Sequence, residues 1–132
     1  MNHPKGRTEL CELVLPTMAN HHGTLFAGQG LQLMAKAAFL AARGLAQAEV
    51  VMAGVTRIDF LEPIPVGHTL TLRAWVGRVG RSSMTVCVTG LADAPGVARD
   101  LALKGVFEMV AVDRLGRPVP LASHVSQQES NP

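Results

Sequence analysis

The sequence predicts an α+β domain in which one long helix lies against an antiparallel sheet of about five strands. Residues 28–47 are almost entirely apolar, and their few polar side chains recur at spacings of three, four and seven, which is typical of a helix. The long segments that follow alternate polar and apolar residues, as strands do. Because a helix that is apolar around most of its circumference must be covered, we expect the sheet to curve around it.

The elements follow one another in a simple order. The first strand is predicted at Thr8–Pro16, and a loop rich in Asn, His and Gly at residues 17–27 leads into the helix. Turn sequences with Pro, Gly or Asp separate the later strands, which are predicted at Val50–Leu61, Thr69–Val79, Ser83–Ala92 and Ala98–Asp113. The strands form one antiparallel sheet with the helix covering one face. A strongly curved sheet wrapped around one central helix in this way is the hot-dog fold.

Composition excludes several broad classes of protein. Of 132 residues, 48% are hydrophobic and 17% charged, which suits one packed core and not a disordered chain. The net charge of +2 is too small to indicate a nucleic-acid-binding face. Nine of the twelve cationic residues are Arg, which suits a phosphorylated ligand. We predict one domain over residues 1–132, with a core at about 8–120 and tails at 1–7 and 121–132.

Targeting signals and cysteine usage favour a cytoplasmic protein that does not span a membrane. The first eight residues are polar and lack the apolar stretch of a signal peptide. No apolar run reaches the roughly 20 residues that span a bilayer. Cys11 and Cys87 are too few for a disulfide framework, and neither they nor the five histidines have metal-ligand spacing. We therefore expect reduced thiols, and neither a metal nor a cofactor.

The loop before the helix is the strongest candidate for a functional site. Residues 20–28 read Asn-His-His-Gly-Thr-Leu-Phe-Ala-Gly and end in the first turn of the predicted helix. The N–H groups of a first turn have no partner within the helix, and the helix dipole favours negative charge there. Such a site can polarise a carbonyl and stabilise the oxyanion that forms on it. A capped loop without a ligand would explain the same spacing.

This loop, followed by Leu-Met-Ala-Lys-Ala-Ala at residues 33–38, resembles the signature of hot-dog-fold acyl-CoA thioesterases of the acyl-CoA hydrolase branch. Later segments agree with that family in the same order, namely 57–60, 63–67, 79–83, 109–113 and 116–118. The resemblance implies hydrolysis of an acyl-CoA to free acid and coenzyme A. It also implies a homo-oligomer built on dimers, a tetramer or a hexamer, with site residues from two subunits. The outward strand face around Trp75 is a candidate subunit contact.

The resemblance assigns roles to individual positions. Asn20 matches a loop asparagine that binds or orients the attacking water or the thioester. Gly28 matches the residue whose backbone N–H polarises the carbonyl, although Ala27 stands where the family usually has a second glycine. The positions that match segments near the coenzyme A of a neighbouring subunit are Arg57, Gly80, Arg81, Ser82 and Ser83.

Ala35 is the largest departure from the family, which carries an acid there, usually Asp, as general base or nucleophile. Alanine has no ionisable group and can do neither. Three interpretations stay open. In the first, the acid was replaced on purpose and the chain is an inactivated variant. In the second, the chain is a natural, weak thioesterase with His22 as base, because imidazole exchanges protons near neutral pH. In the third, the chain binds acyl-CoA without hydrolysing it.

Overall fold

The computed structural model describes residues 6–121, so most of both predicted tails lies outside the described residues. The elements are β1 (Arg7–Leu13), a short 3₁₀ helix (Pro16–Met18), α1 (Ala27–Ala46), β2 (Glu49–Phe60), β3 (Thr69–Val79), β4 (Ser83–Ala94) and β5 (Val97–Val112). The five strands form one antiparallel sheet in the order β1-β3-β4-β5-β2. This arrangement confirms the predicted hot-dog fold.

Helix α1 lies on the inner face of the sheet and buries a surface of small residues. Met34, Ala37, Ala38, Ala41 and Ala42 are fully buried, and the alanines let the strands approach the helix axis closely. Gln32, Lys36 and Arg43 are exposed, as the predicted polar stripe requires. The helix ends one residue earlier than predicted because Gln47 takes a left-handed conformation, with φ of 54°.

The strands show the predicted alternation. Leu70, Leu72, Val86 and Val88 of β3 and β4 are buried against α1, while Trp75 on the outer face is 36% exposed. Strand β1 ends at Leu13, before the predicted Pro16, because that proline begins the 3₁₀ helix. No helix within residues 6–121 is long and apolar enough to cross a membrane.

The connection between β2 and β3 is not a hairpin. Strand β2 pairs with β5 at one edge of the sheet, whereas β3 lies between β1 and β4. Residues 61–68 therefore cross from the β2 edge over β5 and β4 to β3, and on the way they contact the loop before α1. Leu25 N–H donates to Ile64 O (2.8 Å) and Val66 N–H donates to Gly23 O (3.0 Å), so the crossing segment clamps that loop.

Candidate active site

The loop before α1 is closed by the side chain of Asn20. Asn20 Oδ1 accepts three hydrogen bonds, from the backbone N–H of His22 (2.9 Å), the backbone N–H of Thr24 (3.2 Å) and the Thr24 hydroxyl (3.2 Å). Gly23 has φ of +78° at the tight point of this turn, a conformation that favours glycine.

The three donors fix the orientation of the Asn20 amide. A backbone N–H can only donate, so the oxygen of the amide must face the loop. The Nδ2 group then points away from the loop, and it makes no hydrogen bond to any of residues 6–121. The free part of Asn20 is therefore a donor and not an acceptor.

The first turn of α1 presents unpaired backbone donors. The first helical bond runs from Gly30 N–H to Phe26 O (3.0 Å), and the N–H groups of Ala27, Gly28 and Gln29 have no acceptor within residues 6–121. Phe26 supplies no side-chain cap, and the turn contains no acid. Its positive end is therefore available to a carbonyl oxygen or an anion.

The Phe26 ring lies close over Gly28. A Cβ on Gly28 would lie 2.7 Å from Cε2 of the Phe26 ring, so the ring can rest over the helix start only because residue 28 lacks a side chain. Phe26 is 54% exposed and forms an apolar wall beside the free N–H groups. The helix start thus combines donors with an apolar surface.

No carboxylate stands beside these donors on α1. Ala35 is half-buried, seven residues and about 10 Å along the helix axis from Gly28, and α1 contains no acid between residues 27 and 46. Asp59 on β2 is paired instead with a cation, since it accepts a hydrogen bond from Arg57 Nε at 2.8 Å. His22 is exposed, and its ring centroid lies 3.9 Å from that of His21.

The predicted coenzyme A hairpin lies far from the helix start in a single chain. A Cβ on Gly30 would lie 3.7 Å from Cδ1 of Leu103, which faces Gly90 in β4. The hairpin at residues 80–83 joins β4 at its other end, seven residues from Gly90, which corresponds to about 23 Å along the strand. The structure therefore brings Asn20 and Gly28 to one end of the domain and the hairpin to the other.

Arg57 lies on the outer face of the sheet, away from α1. The strand register places it in one row with Val106, Cys87 and Trp75. These residues, with Asp59, Thr89 and Lys104, line a shallow cavity of about 320 Å³. Arg57 thus shares neither the helix start nor the hairpin tip within one chain.

Sequence reasoning missed three residues that shape these regions. Thr24 supplies two of the donors to Asn20, and an Asn followed four residues later by Thr in a Gly-containing loop is a usable signal for such a turn. Phe26 covers Gly28. Leu121 donates its N–H to Arg81 O (2.8 Å) across the fold, and nothing local in the sequence predicts that contact.

Comparison with known proteins decides the family. A family model for the thioesterase superfamily matches residues 22–98 of the chain. A Bacillus subtilis protein named as an uncharacterized acyl-CoA thioester hydrolase is 33% identical over 117 residues, which cover 88% of this chain and 68% of that protein. The chain belongs to the thioesterase superfamily. By this resemblance it is an acyl-CoA thioesterase, as the sequence motifs predict.

Solved structures agree with the assignment of the chain to the thioesterase superfamily. A hexameric acyl-CoA thioesterase in its apo form has a TM-score of 0.87 and 32% identity, and the match covers 96% of this chain and 85% of that one. An acyl-CoA hydrolase from Staphylococcus aureus, in complex with butyryl coenzyme A, coenzyme A and coenzyme A disulfide, has a TM-score of 0.84 and 29% identity. That match covers 96% of this chain and 82% of the hydrolase.

Three variants of the S. aureus hydrolase match this thioesterase as well. In them one Asp, one Thr or one Asn is replaced by Ala. Their TM-scores are 0.84, 0.84 and 0.85, with identities of 30%, 29% and 28%. Each match covers 96% of this chain and between 80% and 83% of the variant.

Proposed function

We propose that the chain binds acyl-CoA and hydrolyses its thioester slowly, with the carbonyl held at the start of α1. The observation that supports this most directly is the set of open N–H groups at Ala27, Gly28 and Gln29, which follow the loop whose Asn20 Nδ2 is also free. Donors fixed in this way stabilise the negative charge that develops on a carbonyl oxygen when water attacks it.

In the proposed reaction, water adds to the thioester carbonyl and the carbon–sulfur bond then breaks. The tetrahedral oxyanion accepts hydrogen bonds from Gly28 N–H and from Asn20 Nδ2. Because Asn20 Oδ1 is already occupied by three donors, we assign Asn20 to the carbonyl oxygen and not to the attacking water. Collapse releases the free acid and the coenzyme A thiol, which takes up the proton lost by the water.

The proposed site lacks the general base that would activate the attacking water. The S. aureus variants replace an Asn, an Asp fifteen residues later and a Thr seventeen residues after that. The same spacing, counted from Asn20, falls on Ala35 and then on Met52. Met52 faces the buried Met109 across β2 and β5. Its side chain therefore lies on the face of the sheet that packs against α1, the helix that carries Ala35.

This spacing bears on the three interpretations of Ala35. One deliberate replacement would account for Ala35 and would leave a threonine at position 52. Two apolar residues at two matching positions are better explained by natural divergence toward weak hydrolysis or toward binding alone. We therefore favour a natural homologue, in which His21 and His22 are the ionisable groups on the loop and His22 is the candidate base.

We propose that a second copy of the chain completes the site. The hairpin that matches the coenzyme A segment lies about 23 Å from the helix start of the same chain, and the family resemblance places residues of two subunits at each site. Strand β2 is an edge strand with apolar side chains left open on its inner face, namely Met52, Val55 and Phe60 at 38%, 48% and 50% exposure. Such an edge favours pairing with another strand.

The outer face of the sheet offers a second surface for assembly beyond the dimer. The outer face around Trp75 remains open beyond the dimer edge, which supports a tetramer or a hexamer built on dimers. A hexameric acyl-CoA thioesterase is among the structural neighbours. We assign the chain to the cytoplasm, consistent with the unpaired thiols of Cys11 and Cys87.

Coenzyme A recognition is assigned to the hairpin Gly80–Ser83. The Arg81 side chain is exposed and forms no ion pair within residues 6–121, so its guanidinium is free for a phosphate. Ser82 and Ser83 are half-buried and line the approach to it. Arg57 would join this site only from a neighbouring subunit and after release from Asp59.

The decisive experiment restores the missing groups. Ala35→Asp, Met52→Thr and the double variant are compared with the unaltered chain by thiol release from a panel of acyl-CoA substrates. We expect slow turnover in the unaltered chain and a gain of about 10²–10⁴ in kcat for the double variant, the usual contribution of a positioned base. Gln32→Asp, one turn earlier on the exposed stripe, is the matched control and should gain nothing.

Other outcomes identify other mechanisms. If the unaltered chain turns over rapidly and His22→Ala abolishes that turnover, His22 is the base and position 35 has no catalytic role. If none of the variants hydrolyses any acyl-CoA while all of them bind coenzyme A, the chain is a binding protein. If neither hydrolysis nor binding is found, the proposed function is wrong.

A further inference from the structure

After β5 the chain turns back on itself, and the family motifs end within this segment, at residue 118. Residues 113–117 form a tight turn, in which Asp113 N–H donates to Arg117 O (2.9 Å) and Gly116 has φ of +80°. Residues 117–121, here called the return segment, then run antiparallel to the end of β5. Val119 N–H donates to Ala111 O (2.9 Å), and Pro118 is bridged to Val112.

The return segment pairs with the end of β5 that extends beyond the first residue of β4. Ala111 uses its N–H to bond Ser82 O (2.8 Å) and its carbonyl to bond Val119 N–H, and in a strand these two groups point to the same side. The return segment therefore occupies the position beside β5 that β4 leaves open before Ser83. The side chains of Val119 and Leu121 pack against the core and anchor the segment there.

The end of the return segment holds the tip of the β3–β4 hairpin. Leu121 N–H donates to Arg81 O at 2.8 Å. Two other backbone hydrogen bonds restrain the hairpin, from Gly80 N–H to Ser83 O (2.7 Å) and from Ala111 N–H to Ser82 O (2.8 Å). The backbone of Arg81 is thus fixed by a residue forty positions away in the chain.

We propose that the return segment is a positioning element for coenzyme A, which sets the direction in which the Arg81 guanidinium leaves the hairpin. The proposal rests on the proposed function, since it concerns the same hairpin. Leu121 contacts no ligand in this scheme and acts through Arg81. A guanidinium held in one direction loses less freedom when it pairs with a phosphate than one on a mobile turn.

The test removes the Leu121 donor and measures coenzyme A affinity. Leu121→Pro removes the N–H, whereas Leu121→Ala keeps the N–H and trims the packing. We expect Leu121→Pro to raise the Kd for coenzyme A about three- to tenfold, the usual range for one hydrogen bond, and Leu121→Ala to raise it less than about twofold. KM for an acyl-CoA should rise with Kd, while kcat/KM for the same acyl group on N-acetylcysteamine, which lacks the nucleotide, should not change.

A double-variant cycle separates positioning from general damage. In an Arg81→Ala background, Leu121→Pro should cause no further loss of coenzyme A affinity, because the group it positions is gone. Additive losses, or an equal loss on the N-acetylcysteamine thioester, would show a merely structural role and overturn the inference. If Leu121→Pro does not fold, Gly116→Ala strains the same segment through its positive φ and takes its place in the cycle.

The failure of the two proposals can be told apart. If Arg81→Ala leaves the Kd for coenzyme A unchanged, the hairpin is not the coenzyme A site and both proposals fall. If Arg81→Ala weakens binding but neither return-segment variant does, the site stands and the positioning role is wrong.

Discussion

Asn20 has two functions that one pair of substitutions can separate. Its Oδ1 closes the loop, and its Nδ2 is free for the substrate. Asn20→Asp keeps an oxygen in place for the three loop donors and removes the free N–H. Asn20→Ala removes both. We therefore expect Asn20→Asp to keep the unfolding free energy of the unaltered chain and to lose activity. We expect Asn20→Ala to lose both stability and activity.

The magnitudes follow from the contacts. The exposed N–H of His22 can turn to water when Oδ1 is removed, but the Thr24 donors are partly buried. At about 0.5–1.5 kcal/mol for each hydrogen bond, Asn20→Ala should cost about 1–3 kcal/mol of unfolding free energy. Loss of one donor to an oxyanion typically lowers kcat by about 10²–10³. Asn20→Asp should show that loss in full, because its charge also opposes the oxyanion.

The assays are urea unfolding and thiol release from acyl-CoA, the latter in the Ala35→Asp/Met52→Thr background so that the loss can be measured. Thr24→Val is a useful companion, since it removes one donor to Oδ1 and leaves the backbone donor in place. If Asn20→Asp keeps full turnover, the amide does not bind the carbonyl. If Asn20→Asp destabilises the chain as much as Asn20→Ala does, the hydrogen bonds accepted by Asn20 Oδ1 do not stabilise the loop.

Two further predictions concern assembly and pH. Val55→Asp puts a charge on the open β2 edge and should shift the mass in solution toward the 14.0 kDa monomer by light scattering, whereas Val97→Asp, at a similarly exposed valine, should not. The backbone N–H of Arg117 is the main cause that holds the pKa of Asp113 below its ordinary value of 3.8. Its stabilising effect is therefore complete above that pH and lost as pH falls through the lower folded pKa. The stability difference between the unaltered chain and Asp113→Asn should accordingly be constant well above pH 3.8 and shrink as the pH falls below 3.8 in urea unfolding; a difference that stays constant there would contradict this assignment.

The fold was predictable because its signals are local. The spacing of polar residues predicts α1 to within one residue at each end, and the alternation in β3 predicts which side chains are buried. The end of α1 differs by one position because Gln47 takes a conformation that usually belongs to glycine. The order of strands was not predictable in this way, since the pairing of β2 with β5 depends on contacts between segments about fifty residues apart.

The site was predictable in part, for a similar reason. The loop and helix start are contiguous in sequence, so the free N–H groups near Gly28 follow from the helix boundary alone. The locked orientation of Asn20 depends on which atoms of the loop face it, and composition does not reveal that. The distance between Gly28 and Arg81 depends on the whole length of β4, so a motif match could name both residues without showing that they lie at opposite ends of the domain.

The strand order also connects the site with assembly. Because β2 lies at the edge, its connection to β3 must cross the sheet, and this crossing segment supplies the backbone groups of Ile64 and Val66 that clamp the loop of Asn20. The same edge position leaves Val55 and Phe60 uncovered. A second copy that pairs along β2, as we propose, would therefore cover the strand from which the crossing segment begins. The topology that exposes the β2 edge also positions the loop of Asn20, so assembly and site depend on the same connection.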